Sequence, residues 1–182
     1  AGAVKIGNSA RAVLGDMPKT LEIHYYESFA KTHQGHGTDV AVVGGAMGYS
    51  TFDSQIKSAL DIAKDENIDV DIIEEDGESI GQHPNCAYIK ANSESGRHIE
   101  VIGISIGGGK VEIVAINGFQ IAISGNYPAL LVFHKDTFGT IGKVTNVFGD
   151  YRINVGSMQV ARKEKGELAL MTCELDDDIP QE

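Results

Sequence analysis

Leu130-Leu131-Val132-Phe133, then Ile141, Val144, Phe148 and Tyr151 at intervals of three and four, then Ile153 to Ala161, then Glu167 to Leu175: this stretch decides the fold of the second half of the chain. The first run is short and apolar and reads as a strand. The spacing of the second set predicts a helix with one apolar face. The last two runs are strands, with Gly166 making the hairpin turn between them. The order β-α-β-β is three quarters of a ferredoxin-like unit, whose missing helix and strand would follow Asp178. His134-Lys135-Asp136-Thr137-Phe138-Gly139-Thr140 lies between the first strand and the helix, where Gly139 permits close approach of the backbone to a ligand. Asn154 begins the next strand. The segment reads either as a plain turn or as a seat for a short polar ligand between two copies of the unit.

Moving outward, Ser124-Gly125-Asn126-Tyr127-Pro128 is the predicted linker, dividing the chain into residues 1–124 and 125–182. Before it comes a meander. His98 to Ile106 is a long strand whose phase slips near Val101-Ile102, which predicts a bulge. Gly107-Gly108-Gly109 turns the chain, Lys110 to Ile116 runs back, and Asn117-Gly118 signals a two-residue hairpin leading to Phe119, Ile121 and Ile123. Earlier still, Ala3, Ile6, Ala10, Val13 and Leu14 recur at helical spacing and stop at Gly15, Asp16 and Pro18. Leu21 to Tyr25 and Ile68 to Ile72 alternate as strands. Val40 to Ala46 reads as a short apolar helix capped by Thr38 or Asp39. Phe52, Ile56, Ala59, Leu60 and Ala63 read as another, capped by Thr51 or Asp53. The class is α+β: a mixed α/β domain ending in an antiparallel meander, then the partial βαββ domain. Residue 1 is Ala, and Asp178-Ile179-Pro180-Gln181-Glu182 has the composition of a helix start. The expectation is a chain cut or processed at both sides.

Composition narrows the function classes. Among 182 residues, 26 are acidic and 15 basic, a net charge of -11. Such a surface repels phosphate backbones and anionic lipid, so neither nucleic acid nor membrane is an expected partner. No apolar run approaches the ~20 residues that span a bilayer, and no signal peptide is visible; two cysteines make no disulfide framework, so a reduced cytoplasmic setting is expected. The hydrophobic fraction of 42% supports a packed core. The only two cysteines, Cys86 and Cys173, are too few to hold an iron–sulfur cluster or a thiolate zinc site by themselves.

The most site-like segment is Lys31-Thr32-His33-Gln34-Gly35-His36-Gly37-Thr38-Asp39. Gly35 and Gly37 let the backbone come close to a ligand. Amides of a helix beginning near Thr38 suit a carboxylate. Lys31 and His36 add charge, and Asp39 can hold an ammonium group, so the set matches a small amino acid; the plainer reading is a capped loop with a solvated lysine. His33, His36 and Asp39 are residue types that ligate zinc. Six histidines make such a coincidence easy, so no metal site is assigned. His83-Pro84-Asn85 reads as a structural turn. Gly107-Gly108-Gly109-Lys110 looks like a phosphate loop on paper, but a strand follows it where such loops open helices. Asp69 and Asp71 read as a solvated strand face, and Asp176 to Asp178 as a solvated helix start.

The run Ser28-Phe29-Ala30-Lys31-Thr32-His33-Gln34-Gly35-His36-Gly37-Thr38-Asp39-Val40-Ala41 closely resembles the β subunit of iron–sulfur-dependent L-serine dehydratases (L-serine deaminases). Ala1-Gly2-Ala3, the helix after it and His83-Pro84-Asn85 fit the same family. The match runs to about Ile123, and that domain resembles the allosteric substrate-binding domain also found in some phosphoglycerate dehydrogenases. Leu130 to Ile141 looks like an ACT domain, a regulatory module that binds small ligands such as amino acids.

The resemblance implies an enzyme subunit that takes part in eliminating the serine hydroxyl, giving pyruvate and ammonia. It implies a [4Fe–4S] cluster held by cysteines of a partner α subunit, where one iron acts as Lewis acid. No cofactor is expected on this chain, which should be inactive alone. Lys31, His36, Thr38 and Asp39 are the candidates for the partner or substrate interface. Serine-binding ACT domains use a His at the end of the first strand, an Asn two residues on and a second Asn at the next strand. Here the matching positions are His134, Asp136 and Asn154, the candidate effector site for L-serine or another small amino acid, at an interface made by self-association. Asp136 departs from the pattern; its charge opposes a carboxylate and suits an ammonium. The family's Ser-His-Thr motif belongs before the position of Ala1 and is not in this sequence. The competing readings are an amino-acid-sensing module without a lyase partner and the regulatory part of a phosphoglycerate dehydrogenase.

Overall fold

The computed structural model describes residues 1–180. They fall into two compact units, one from Ala1 to Gly118 and one from Phe119 onward.

In the first unit, α1 (Gly2–Leu14) ends where Gly15 adopts φ 71° and returns its amide to the Arg11 carbonyl, a left-handed cap that glycine tolerates best. Next come β1 (Pro18–Tyr26), α2 (Glu27–Thr32), α3 (Thr38–Ala46), a 3-10 turn at Ser54–Ser58, α4 (Ala59–Asp65) and β2 (Asp69–Glu74). The meander follows as β3 (Asn85–Ser93), β4 (His98–Gly107) and β5 (Lys110–Ile116). Strands lie in the order β2-β1-β3-β4-β5, with β1 and β2 parallel and the others antiparallel. The slip in β4 falls between Ile102 and Gly103. A Cβ on Gly103 would meet Ile6 at 2.8 Å, so the glycine lets α1 lie close on the sheet. Leu21, Ile23 and Tyr25 alternate toward the core, while Glu22 and His24 point to the outer face. Asn117 and Gly118 both take positive φ, 49° and 80°, as a type I′ turn requires.

Three expectations are corrected. The helix around Val40 starts at Thr38 and has Gly37, not Thr38 or Asp39, at its N-cap, because Gly37 supplies the left-handed φ of 66° at the junction. Phe52 precedes the 3-10 turn, is fully exposed and belongs to no helix; Asp53 caps that turn by accepting the Gln55 amide. Asp176 to Pro180 form bends and coil rather than a helix start, and the Gln181-Glu182 part of that expectation lies outside the described residues.

The second unit contains β6 (Phe119–Ile123), β7 (Ala129–Lys135), α5 (Thr140–Asp150), β8 (Val155–Arg162) and β9 (Leu168–Leu175). The last three strands form an antiparallel sheet in the order β7-β9-β8, the arrangement of a split βαβ unit. Phe148 of α5 packs with Met171, Cys173 and Leu175 of β9, joined by Val144, Leu130 and Val132. Ile141 and Tyr151, at the ends of the predicted stripe, stay exposed. The Phe119 ring of β6 meets Phe133 edge-on, and the Ser124 amide bonds Glu174.

Candidate functional site

A cleft of about 570 Å³ opens where α2 passes the end of β2, with Glu27, Lys31, His33, Gln34, Glu74 and Asp76 among its lining. The local chain is built to place α2 there. Glu27 takes φ 45°, a conformation that side chains other than glycine rarely adopt. The Pro84 carbonyl accepts the Ser28 and Phe29 amides, and the Glu27 carboxylate accepts the Ser79 amide at 3.0 Å. His83-Pro84-Asn85 is therefore structural: it seats the first turn of α2, and the His83 Nδ1 accepts the Asn85 amide.

At the floor of the cleft lies His33, 3% exposed. Its Nδ1 is 2.7 Å from Asp39 Oδ1 and its Nε2 2.7 Å from Glu74 Oε1. Carboxylates only accept, so both ring nitrogens donate and the imidazole is charged when both bonds are made. Burial opposes that charge, but the bonds and charges of Glu74 and Asp39 outweigh it and raise the His33 pKa. The Tyr25 ring stacks on His33 at 4.9 Å. Burial, then the Asp39 charge, pushes the Tyr25 phenol far above its ordinary pKa; its hydroxyl has no hydrogen-bond partner among the described residues.

Of the predicted residues, Lys31 lines the cleft and is exposed. Asp39 stands behind it, joined through His33. Thr38 is buried as the first residue of α3, and its amide bonds the His33 carbonyl. His36 is exposed in the turn between the two helices, outside the cleft lining. His33 and His36 are thus not paired ligands, and among the described residues no group of three or more His, Cys, Asp or Glu is set to hold a metal ion. Glu74 and His33 as carboxylate and clamp escape a reading of local pattern, because 41 residues separate them in sequence.

In the second unit the candidate residues do not meet within one chain. His134 lies opposite Ala169, whereas Val155, beside Asn154, lies opposite Leu175. Six residues of strand separate these ends, about 20 Å. His134 donates from Nδ1 to the Lys135 carbonyl, and its Nε2 is buried with no partner among the described residues. Asp136 accepts from Arg162 at 2.8 Å and from the Gly166 amide at 3.1 Å; the amide and then the guanidinium lower its pKa. Asn154 donates to Asp176 at 2.7 Å.

Comparison with known proteins gives these sites a context. Residues 129–182 match the ACT domain family. The chain is 50% identical over 179 residues to a probable L-serine dehydratase, beta chain, of Bacillus subtilis (strain 168), covering 98% of this chain and 80% of that protein. It is 33% identical over 176 residues to the L-serine dehydratase, beta chain, of Peptoniphilus asaccharolyticus, covering 97% and 79%. A D-3-phosphoglycerate dehydrogenase of Bacillus subtilis (strain 168) is 30% identical over 176 residues, but those residues are 33% of that protein. Identity that extends through both units, over most of the length of the dehydratase chains, places this protein in the L-serine dehydratase β-chain family, with an ACT domain in its second half.

Proposed function

We propose that this chain is the non-metallated subunit of an L-serine dehydratase, converting L-serine to pyruvate and ammonia with a companion α chain that carries a [4Fe–4S] cluster. The observation that supports it is the 50% identity to a dehydratase β chain along both units. The residues present do not fit the cluster itself. Cys86 and Cys173 are both buried and lie in different units, and burial raises both thiol pKa values, away from the thiolate that iron requires. In this reading the cluster belongs to the companion.

This chain contributes the segment from Lys31 to Asp39. Lys31 offers a cation to a carboxylate at the cleft, and Asp76 offers charge to an ammonium. His36 stands exposed at the turn beside it, toward companion or substrate, and the buried Thr38 holds that turn through its amide. The second unit adds regulation: L-serine or another small amino acid binds at an interface of two copies, with His134 and Asp136 from one and Asn154 from the other.

The test is co-expression with a cysteine-bearing α chain and measurement of pyruvate from L-serine. Turnover is expected from the pair and from neither chain alone, and the isolated β chain should contain no iron. An α chain equally active without its companion, or iron bound to the isolated β chain, would overturn the proposal.

A further inference from the structure

We infer that His33 is the positioning residue of the His36 loop: its backbone closes the loop, and its side chain ties the first turn of α3 to the end of β2. This rests on the reading of Lys31 to Asp39 as the face toward substrate or companion.

The His33 amide donates to the Phe29 carbonyl at 3.0 Å, finishing α2, and its carbonyl accepts the Thr38 amide at 3.0 Å, starting α3. Gln34, Gly35, His36 and Gly37 are the residues enclosed. Two glycines leave that loop little stiffness of its own, so its anchor decides where His36 sits. The anchor is the buried ring. Tyr25 of β1 lies against its face, Asp39 of α3 takes one nitrogen and Glu74 of β2 the other, while Glu27 and Lys31 of α2 line the same cleft. Both ties need both ring protons. Loss of one, as pH rises past the raised His33 pKa, turns a ring lone pair toward a carboxylate and frees α3 or β2. Misplacement of a reacting group by about 1 Å can cost on the order of 100-fold in rate.

The experiment uses the two-chain enzyme and L-serine, with kcat followed against pH. His33→Ala should lower kcat about 10- to 100-fold. His33→Gln, whose amide nitrogen can still donate to one of the two carboxylates, should recover part of it. Glu74→Gln removes one carboxylate at an exposed position, so it should fold normally and move the alkaline limb of kcat to lower pH. Circular dichroism at each pH should show the pair still folded across that limb, and a limb that moves only together with unfolding overturns the positioning role. An active pair whose alkaline limb is unchanged by Glu74→Gln overturns the positioning role, whether or not His33→Ala folds; so does wild-type kcat in His33→Ala. A wild-type pair that makes no pyruvate overturns the functional reading and this inference with it.

Discussion

Glu74 and Glu75 are consecutive, and each is taken by a different histidine: His33 holds Glu74, and His24 bonds Glu75 through Nδ1 and Glu22 through Nε2. For His24, burial works against the charged ring, but Glu22 and Glu75 prevail and the pKa is raised; the His24 bond in turn lowers that of Glu22. A raised histidine pKa stabilises the folded state fully below the unfolded value of about 6.5, and the contribution is lost as pH rises through the folded value. Urea-unfolding stability of the chain should therefore fall as pH rises above about 6.5 and through the raised histidine values, and fall less steeply in His24→Gln. Equal slopes for the two proteins would show that the His24 ring does not carry the linkage. This layer was the least legible in the sequence. Lys31 and Asp39 stand in one polar run and could be read together. His33 finds Glu74, and His24 finds Glu75, only because β1 and β2 lie side by side in parallel, and no local pattern announces that pairing.

Elements were more legible than contacts between them. The hairpin at Asn117-Gly118, the bulge in β4 and the end of α1 at Gly15 follow from local chemistry, which is why the sequence shows them. Phe52 misled because its spacing suits a helix, yet nothing packs on it. The crossing of α1 and α3 was hidden in plain glycines. A Cβ on Gly7 would collide with the Val42 carbonyl, and one on Gly45 with the Val4 carbonyl, so the two backbones touch. Gly45→Ala forces these helices apart and should destabilise by about 3 kcal/mol, the upper part of the usual range for overpacking, read from denaturant unfolding. Gly149 gives the opposite expectation: it is helical, and a Cβ added there would meet nothing within 4 Å. Gly149→Ala should stabilise by up to about 1 kcal/mol through helix propensity and a less flexible unfolded chain.

At the scale of the whole molecule, the β7-β9-β8 order settles what a single copy can do. A ligand of amino-acid size spans a few ångströms, and His134 and Asn154 lie about 20 Å apart along β9. One chain therefore cannot close both groups on one ligand; the proposed site requires two copies, with the β7 end of one at the β8 start of the other. A twofold arrangement makes the site isologous, with two equal sites per pair. Asp136 already shares its charge with Arg162 and the Gly166 amide, so the proposed site carries less net negative charge than the sequence suggests, and the Nε2 of His134 has no partner among the described residues. The consequence is a complementation experiment. His134→Ala and Asn154→Ala should each lose the rise in melting temperature that L-serine gives the wild-type chain. Co-expressed, they should form mixed pairs in which one site combines His134 of one copy with Asn154 of the other, and part of the rise should return. If both variants fold and mix yet no response to L-serine returns, the effector is not held between copies by these residues.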